Sequence, residues 1–339
     1  MQTGRPILSI CIPTYNRAEC LKTLLDNLLP QIVSYGKEYF QLLVSDNASP
    51  DETRDVVMSS SEKHGVEIAY SRNDENIGLA NLELVVEKSD GEYVLLLGDD
   101  DVFSPDFVNI IMPYLCSGKV YGIIHWNRLE GDANCSYNRL YDYEFRGVIE
   151  SLSAADFIGR TLSSTNFISS LVFNRECWTK GIGYLQQNWT GYNWYARVLH
   201  GALDFGHDCL YYYFPLVIQR HPQQSWATQW PYYCLVELNQ IFESLDKQVS
   251  GVKQKWMVRL HDESYYNMEN IISGVMMDLD FYRKYRIEMS KYLNEKELYL
   301  LNLLLDSSNP EKAYLSYCRK RKLKKILNKV FLRLPFVGK

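Results

Sequence analysis

Apolar and polar positions follow two different rhythms over the first 130 residues of the chain. Short apolar runs predict buried strands at residues 7–12, 40–45, 67–71, 93–97 and 120–126. Between them, apolar residues recur every three or four positions and predict helices at residues 18–33, from residue 50 onward, at 78–88 and at 105–115. Strands that alternate with helices predict an α/β fold, in which a mostly parallel sheet is flanked by helices on both faces.

The second of these helices carries a start signal in its sequence. Ser49 is placed to act as the N-cap, Pro50 to occupy the first helical position and Glu52 the third. Ser and Glu at this spacing form a capping box, in which each side chain bonds the backbone N–H of the other residue. The sequence therefore predicts that the helix begins at Pro50.

The second half of the chain is less regular. After a loop-rich stretch, the predicted elements are a strand at residues 168–174, a helix near 191–202 and a strand at 209–219. From residue 232 the pattern is helical to the end. We expect one domain over residues 1–230, with halves 1–127 and 128–230, followed by a helical region over residues 231–339.

The fourth strand ends in Gly98 and three consecutive aspartates, Asp99, Asp100 and Asp101. Adjacent carboxylates repel one another unless water or a cation screens them, and Mg²⁺ or Mn²⁺ prefers such oxygen ligands. The carboxyl end of a buried strand is also where open α/β sheets place ligands. The alternative is a solvated acidic turn that caps the next helix.

Other strand-end loops carry polar residues that should converge on this same edge of the sheet: residues 14–17, residues 46–47 and Asn76. The chain contains no P-loop, no G-x-G-x-x-G after the first strand, no G-x-S-x-G and no H-E-x-x-H. P-loop nucleotide binding, dinucleotide binding, serine hydrolysis and zinc proteolysis therefore lose their main support. No feature predicts a nucleic-acid partner.

Charge is unevenly distributed along the chain, whose net charge is −5. Residues 311–339 carry ten basic side chains and one acid, so this end is +9 and the rest is −14. The last helix places Leu, Ile, Val and Phe on one face and Lys and Arg on the other, and Pro335 ends it. Such a helix either binds an anionic membrane surface or packs its apolar face on the protein.

The eight cysteines are scattered without a C-x-x-C pair, so we expect reduced thiols rather than zinc ligands or disulfides. The N-terminus leads directly into a strand, which predicts no signal peptide. No apolar run approaches the roughly 20 residues of a membrane span. These features favour a cytoplasmic protein that is peripheral on the inner face of the cell membrane.

Four segments together resemble the nucleotide-sugar-binding half of glycosyltransferase family 2, which has the Rossmann-like GT-A fold. They are residues 10–17 (ICIPTYNR), 44–51 (VSDNASPD), 73–78 (NDENIG) and 91–101 (GEYVLLLGDDD). Their order and spacing match that family over about 100 residues. The resemblance implies a donor that is a nucleotide-diphosphate sugar and a divalent metal, Mg²⁺ or Mn²⁺.

The resemblance also implies a role for each matching residue. Pro13, Thr14, Tyr15 and Arg17 would line the pocket of the nucleotide base. Asp46 would bind the base or ribose, and Asn76 and Gly78 would shape the wall beside the nucleotide. The remaining candidates would hold the metal or the diphosphate: Asp99, Asp100, Asp101, Arg220 and His221.

In the commonest pattern of the family, an acid precedes the final Asp-Asp pair with one residue between them, and here that position is Gly98. Asp100 is therefore the expected direct metal ligand, supported by Asp99 and Asp101. Arg220-His221 resembles an element of the family that contacts the diphosphate, and its alternative is a surface pair after a strand.

The catalytic base is not apparent from this resemblance. Inverting members usually carry an acid at the start of the helix predicted near residues 191–202, but residues 188–197 contain none. Besides Asp100 and Asp101, the fallback catalytic candidates are therefore Asp204, His207 and Asp208, although a polar turn between a helix and a strand is the favoured interpretation of each. Residues 159–178 and the Trp-Thr-Gly-Tyr segment after them look more like the abequosyltransferase subgroup.

Several aromatic residues fall on the expected acceptor side, where they could stack on sugars or simply pack in the core: Trp189, Tyr192, Trp194, Trp226 and Trp230. The resemblance implies transfer of a sugar to a hydroxyl of a lipid-linked glycan, in assembly of O-antigen or capsule. The alternatives are a nucleotidyltransferase and a non-catalytic, membrane-docked subunit that binds nucleotide sugars.

Overall fold

The computed structural model describes residues 4–131, 137–140, 148–185, 193–220, 229–262 and 268–320. The chain separates into two compact units, Met1–Gln223 and Gln224–Lys339. The boundary expected from the sequence, after residue 230, falls a few residues later than this division.

The first unit is built on a sheet whose ten strands, within the described residues, are β1 Leu8–Thr14, β2 Phe40–Asp46, β3 Ile68–Arg72, β4 Tyr93–Leu96, β5 Val102–Phe103, β6 Ile123–Gly131, β7 Tyr137–Leu140, β8 Ile149–Leu152, β9 Leu171–Asn174 and β10 Cys209–Arg220. The order across the sheet is β3-β2-β1-β4-β9-β6-β10-β5, with β7 beside β6 and β8 beside β10.

The helices that alternate with these strands along the chain flank the sheet. In the first unit they are α1 Ala18–Tyr35, α2 Thr53–His64, α3 Ala80–Glu87, α4 Phe107–Leu115, α5 Ala154–Thr161, α6 Arg175–Lys180 and α7 Asn193–Phe205. Short 3₁₀ turns lie at Lys37–Tyr39, Leu162–Asn166, Ile168–Ser170 and Gly181–Tyr184.

The amino-terminal half of the sheet is parallel. Strands β1, β2, β3 and β4 pair in register, with Thr14 opposite Asp46 and Cys11 opposite Leu96. Helices connect them, so all four strands end at one edge, and the polar loops predicted from the sequence meet there. On α1, the apolar stripe that includes Leu21, Leu25 and Leu28 is fully buried against the sheet.

The other half of the sheet is mixed. β9 is antiparallel to both β4 and β6, and β10 is parallel to β6 but antiparallel to β5 and β8. The α/β class and the flanking helices predicted from the sequence are confirmed. The parallel character holds for β1–β4, and it changes where β9 inserts between β4 and β6.

Two local predictions were wrong. Helix α2 begins at Thr53 with Glu52 as its N-cap, and the Glu52 side chain makes no capping bond. Instead of forming the capping box, the Ser49 hydroxyl accepts a bond from the Asn16 N–H, and Asp51 accepts one from the Ala18 N–H at 2.9 Å. The strand predicted at residues 168–174 is also shorter, because residues 168–170 form a 3₁₀ turn.

Within the described residues, the regular secondary structure of the second unit is entirely helical. Its helices are α8 Trp230–Tyr232, which continues through a π-helical turn at Tyr233–Glu237 into α9 Leu238–Leu245, then α10 Val252–Asp262, α11 Met268–Met277, α12 Leu279–Lys284, α13 Arg286–Ser290, α14 Glu295–Leu305 and α15 Pro310–Lys320. A capping box between Asn294 and Glu297 starts α14. The basic helix expected beyond residue 320 lies outside the described residues.

Across the described ranges, no helix is both long and apolar enough to cross a membrane. The six cysteines that the structure describes are free thiols: Cys11, Cys20, Cys116, Cys177, Cys209 and Cys234. Burial raises the pKa of Cys11 to about 12, which keeps that thiol protonated.

Candidate functional site

The acidic triplet (Asp99–Asp101) lies at the carboxyl edge of the sheet, immediately after β4. Arg17, in the loop after β1, bridges two of its members: Nη1 lies 3.0 Å from Asp99 Oδ1 and 2.9 Å from Asp100 Oδ2. Thr14 Oγ1 donates a hydrogen bond of 2.7 Å to Asp99 Oδ2. The first parallel strand therefore delivers both a hydroxyl and a guanidinium to the carboxylates that follow its neighbour.

Burial is the main electrostatic fact about this cluster. Asp99 is 5% exposed and Asp101 is 1% exposed. Desolvation raises the pKa of Asp99 to about 6, although Arg17 opposes the change. The pKa of Asp100 is raised for the same reason, and that of Asp101 lies well above its ordinary value because the Asp100 charge adds to burial. These carboxylates are not the solvated acidic turn of the alternative interpretation.

Ser169 completes the cluster from the other side, and sequence reasoning missed it. Its hydroxyl donates to Asp101 Oδ2 and accepts from the Gly98 N–H at 2.9 Å. Ser169 and Asp101 are 68 positions apart in the sequence, and the pairing of β9 with β4 brings them together. No local sequence pattern therefore signals this contact.

Gly98 lies against the triplet, where little space is left for a side chain. A Cβ on Gly98 would lie 2.8 Å from Asp101 Oδ2 and 3.3 Å from Ser169 Oγ. A side chain at residue 98 would therefore displace the carboxylate and the hydroxyl that hold this end of the triplet.

Arg220 brings a second guanidinium to the triplet. It ends β10, and because β10 pairs antiparallel with β5, its Nε donates to the backbone carbonyl of Asp100. Arg220 is 6% exposed, and among the described residues its Nη2 has no hydrogen-bond partner. His221 lies outside the described residues.

The fit of a metal ion rests on the donor chemistry of the triplet. Asp101 Oδ1 is buried, and within the part of the chain that the structure describes it has no hydrogen-bond partner. Those residues contain no set of three or more His, Cys, Asp or Glu side chains already arranged around a metal position. Mg²⁺ commonly uses only one or two carboxylates and takes its other ligands from water and substrate phosphates, so the residues present fit such an ion.

Asp46 and its surroundings form a second part of the site. The Asp46 carboxylate accepts bonds from Tyr70 Oη at 2.6 Å and from the Ser49 N–H at 2.8 Å, while Arg72 Nε lies 3.5 Å away. Asp46 is thus almost completely buried and holds the loop after β2, rather than projecting into solvent.

An amide network that sequence reasoning also missed joins this loop to the one after β3. Asn47 donates to Asn76 Oδ1 at 2.7 Å and accepts from Asn73 at 3.0 Å and from the Ile77 N–H at 2.9 Å. Asn76 in turn accepts from the N–H of Gly78, whose positive φ of 61° suits glycine. The predicted wall residues Asn76 and Gly78 therefore lie together on an exposed loop.

The remaining base-pocket candidates also lie at this edge. Pro13 is half-buried at the end of β1, where it pairs with Ser45, and Tyr15 is 39% exposed. Asn16 and Ala48, which are not glycines, adopt positive φ angles of 54° and 66°. Such strained backbone tends to cluster at functional sites.

The fallback base candidates lie elsewhere. Asp204, His207 and Asp208 are exposed and precede the amino-terminal end of β10, whereas the triplet adjoins its carboxyl end. Asp208 pairs with Lys119 Nζ at 3.0 Å, and Asp204 accepts from Tyr184 Oη at 3.1 Å. A strand of 12 residues spans roughly 40 Å, so none of the three reaches the triplet.

The aromatic candidates are divided. Trp194 is 3% exposed and packs in the core, and Trp230 is half-buried. Trp189, Tyr192 and Trp226 lie outside the described residues.

Parts of this chain are similar in sequence to known proteins. The sequence model of Glycosyl transferase family 2 matches residues 9–203. Abequosyltransferase RfbV of Salmonella typhimurium is 35% identical over 112 residues, which cover 33% of this chain and 33% of that protein. Validoxylamine A glucosyltransferase of Streptomyces hygroscopicus is 40% identical over 68 residues, covering 20% of this chain and 16% of the relative. The matches thus span at most a third of these relatives.

Two solved structures are similar over most of their length. TarS residues 1–349 of S. aureus, in complex with UDP-GlcNAc, gives a TM-score of 0.59 at 14% identity and covers 92% of each chain. Mannosyltransferase PcManGT of Pyrobaculum calidifontis, in complex with GDP-Man and Mn²⁺, gives a TM-score of 0.52 at 16% identity, covering 97% of this chain and 86% of that one. At these identities the likeness shows the fold alone.

Proposed function

This chain belongs to glycosyltransferase family 2, and we propose that it transfers a sugar from a nucleoside-diphosphate sugar to a hydroxyl of a glycan, with a divalent cation bound at the acidic triplet. One observation carries the proposal: three adjacent carboxylates, two of them buried and one half-buried, meet two arginines at the carboxyl edge of the sheet. Within that cluster, Asp101 Oδ1 and Arg220 Nη2 are buried without a partner among the described residues. A cation and a diphosphate would satisfy both.

The residues of the site have distinct tasks in this reaction. Negative charge develops on the diphosphate as it leaves the sugar, and preorganised positive groups stabilise such charge. Arg220 offers an unused N–H for a phosphate oxygen, while Thr14 and Ser169 hold the outer members of the triplet in place. When bound, a divalent cation supplies Lewis-acid stabilisation of the same leaving group. Asp100, the most exposed of the three, is the proposed direct ligand.

The nucleoside would lie over the loops after β1, β2 and β3. Tyr15, Asp46, Asn76 and Gly78 surround this position, and the amide network fixes the loops relative to one another. The similar structures solved in complex with UDP-GlcNAc, and with GDP-Man and Mn²⁺, support a donor of this kind.

We expect nucleotide binding to raise the melting temperature of the protein only when metal is present. The test is a thermal-shift screen of UDP, CDP, GDP and dTDP, each with Mn²⁺ and with EDTA. At 100 times the dissociation constant, a ligand that binds only the native state adds about 2.7 kcal/mol of stability. One nucleotide that acts only with Mn²⁺ supports the proposal and identifies the donor class, and no shift with any of the four would contradict it.

The rival activity, nucleotidyl transfer, is separated by its products. A nucleotidyltransferase releases pyrophosphate from a nucleoside triphosphate, whereas the proposed enzyme releases a nucleoside diphosphate from a sugar donor. Release of pyrophosphate from nucleoside triphosphates would therefore favour the rival.

We further propose a lipid-linked acceptor used in bacterial surface polysaccharide assembly, reached by a protein that is peripheral on the inner face of the cell membrane. The similarity to an abequosyltransferase and the basic, amphipathic sequence of residues 319–339 support it.

Deletion of residues 319–339 should abolish sedimentation with anionic vesicles at low salt and leave nucleotide binding unchanged. Vesicles of neutral lipid serve as the control, since the expected attraction is electrostatic. A truncated chain that still sediments with anionic vesicles would disprove the anchor.

A further inference from the structure

We propose that Glu83 is the general base that accepts the proton of the acceptor hydroxyl, an inference that rests on the transferase function proposed above. Transfer of a sugar to a hydroxyl releases one proton, and a positioned carboxylate within reach accelerates such a step by about 10²–10⁴-fold. Glu83 is a carboxylate that the family resemblance does not assign to any role.

Glu83 lies in the first turn of α3, at the site edge of the sheet. Two residues earlier, the Asn81 side chain accepts from Ser45 Oγ at 2.7 Å and donates to the Ser45 carbonyl at 2.8 Å. Ser45 directly precedes Asp46 at the end of β2. The start of α3 is therefore fixed beside the nucleotide loops.

The opposite side of Glu83 faces α7. The side chain of Asn193, the first residue of α7, hydrogen-bonds to Glu83. Two residues later, Tyr195 Oη lies 3.0 Å from Thr165 Oγ1 and also donates to the carbonyl of Leu162. These two residues belong to the segment that leads to Ser169 and hence to the triplet. The helix of Glu83 is thus anchored to the nucleotide loops through Asn81, and Glu83 itself bonds α7, whose Tyr195 bonds the segment before Ser169.

The carboxylates of the triplet and of the loop after β2 that are at least partly buried already have structural tasks. Asp46 accepts from Tyr70 and from the Ser49 N–H, and Asp51 accepts from the Thr53 hydroxyl and N–H. The triplet is held by arginine, threonine and serine side chains. Asp74 and Glu75, in the loop after β3, are exposed to solvent, whereas Glu83 is half-buried and faces α7.

The surroundings of Glu83 make it a stronger proton acceptor than an exposed glutamate, because its pKa is raised. Burial raises the pKa of Glu83, whereas the hydrogen bond from Asn193 and the charge of Arg197 lower it, and Glu87 raises it again. Glu87, one turn further on, differs: it pairs with Arg197 Nη1 at 2.7 Å and accepts from Trp178 Nε1 at 2.8 Å. Those contacts depress the pKa of Glu87 and give it a structural role.

In the proposed step, the acceptor oxygen forms a bond to the anomeric carbon as its proton passes to a Glu83 oxygen. The bond from that carbon to the diphosphate oxygen breaks, and the nucleoside diphosphate leaves with the electron pair. Charge and atoms balance without a further reactant.

The test is Glu83→Gln, which preserves volume and hydrogen bonding to Asn193 but cannot accept the proton. The readout is nucleoside-diphosphate release from UDP-, CDP-, GDP- and dTDP-sugars with Mn²⁺. We expect at least a 100-fold fall in turnover, an unchanged metal-dependent shift with the bound nucleotide, and partial rescue of Glu83→Ala by azide. Glu87→Gln, which makes the same charge change one turn away, should retain wild-type turnover once its stability is allowed for.

Each other outcome is informative. If Glu83→Gln turns over like the wild type, Glu83 is not the base, although the transferase function stands. If the wild type binds no nucleotide, the transferase function itself fails. If the wild type binds nucleotide but releases no nucleoside diphosphate without an acceptor, the pKa of Glu83 is measured instead, by NMR on protein that carries ¹³C-labelled glutamate. The role is supported if Glu83 titrates above the ordinary pKa of a carboxyl group and if bound nucleotide and Mn²⁺ shift that pKa. An ordinary pKa that does not respond to nucleotide and Mn²⁺ overturns it.

Discussion

Asp100→Ala should abolish metal-dependent nucleotide binding and reduce sugar transfer by about 10²–10³-fold, without lowering the melting temperature. The loss follows because Asp100 is the member of the triplet most accessible to a cation, and removing a preorganised electrostatic group typically costs that much in kcat. The stability should not fall because burial disfavours the ionised form of Asp100, as its raised pKa shows. Arg17 retains Asp99 as its partner in the variant.

The matched control is Asp106→Ala. Asp106 is an exposed aspartate at the start of α4 whose side chain makes no capping bond, so the same substitution there should change neither binding nor turnover. Thermal-shift titrations with Mn²⁺ and the nucleotide identified above provide the measurement. An Asp100→Ala protein that binds nucleotide and metal like the wild type would remove Asp100 from the metal site.

A destabilising cluster at this position is consistent with a functional site. Three adjacent carboxylates with raised pKa values are unfavourable for folding, and ordinary core packing offers no reason to bury them. Departures from local rules of this kind are expected where a protein binds or reacts. The positive φ angles at Asn16 and Ala48, in the loops beside the triplet, point the same way.

The parts of the fold that were predictable depend on local pattern. Apolar runs of strand length are buried, and helical spacing such as that of α1 produces a buried stripe, so both periodicities are readable without a structure. The edge that carries the site follows too, because parallel strands joined by helices end on the same side. That reasoning correctly placed Thr14, Arg17, Asp46 and the triplet together.

The rest depends on pairings between distant segments. The insertion of β9 between β4 and β6 joins residues about 80 and 50 positions apart, and no local pattern encodes it. Ser169 was missed for this reason. The direction of β10 was likewise unknown, so Asp204, His207 and Asp208 could not be recognised as belonging to the opposite edge. The Ser49 box failed because Ser49 bonds Asn16 in the neighbouring loop, a tertiary contact that outweighs the local signal.

The largest effect on stability should come from Gly201→Ala. Helices α6 and α7 approach so closely that a Cβ on Gly201 would lie 1.7 Å from the carbonyl oxygen of Cys177. The approach is reciprocal, since a Cβ on Gly181 would lie 1.8 Å from the carbonyl oxygen of Arg197. In both cases the obstacle is backbone, which cannot move aside as a flexible side chain can.

Alanine normally favours a helix over glycine by about 1 kcal/mol, so propensity alone predicts that Gly201→Ala stabilises α7. The backbone clash should reverse the sign of this effect, so that the substitution destabilises the protein. Overpacking costs about 1–3 kcal/mol and sometimes more, and a backbone collision lies at the upper end, so we expect a loss of about 3 kcal/mol or more. For a unit of this size that corresponds to a fall in melting temperature of about 6–12 °C.

Gly183→Ala is the control, because nothing lies within 4 Å of a Cβ there. If both variants melt together, α6 and α7 are not in backbone contact, and the position of Asn193 beside Glu83, which depends on α7, would need to be reconsidered.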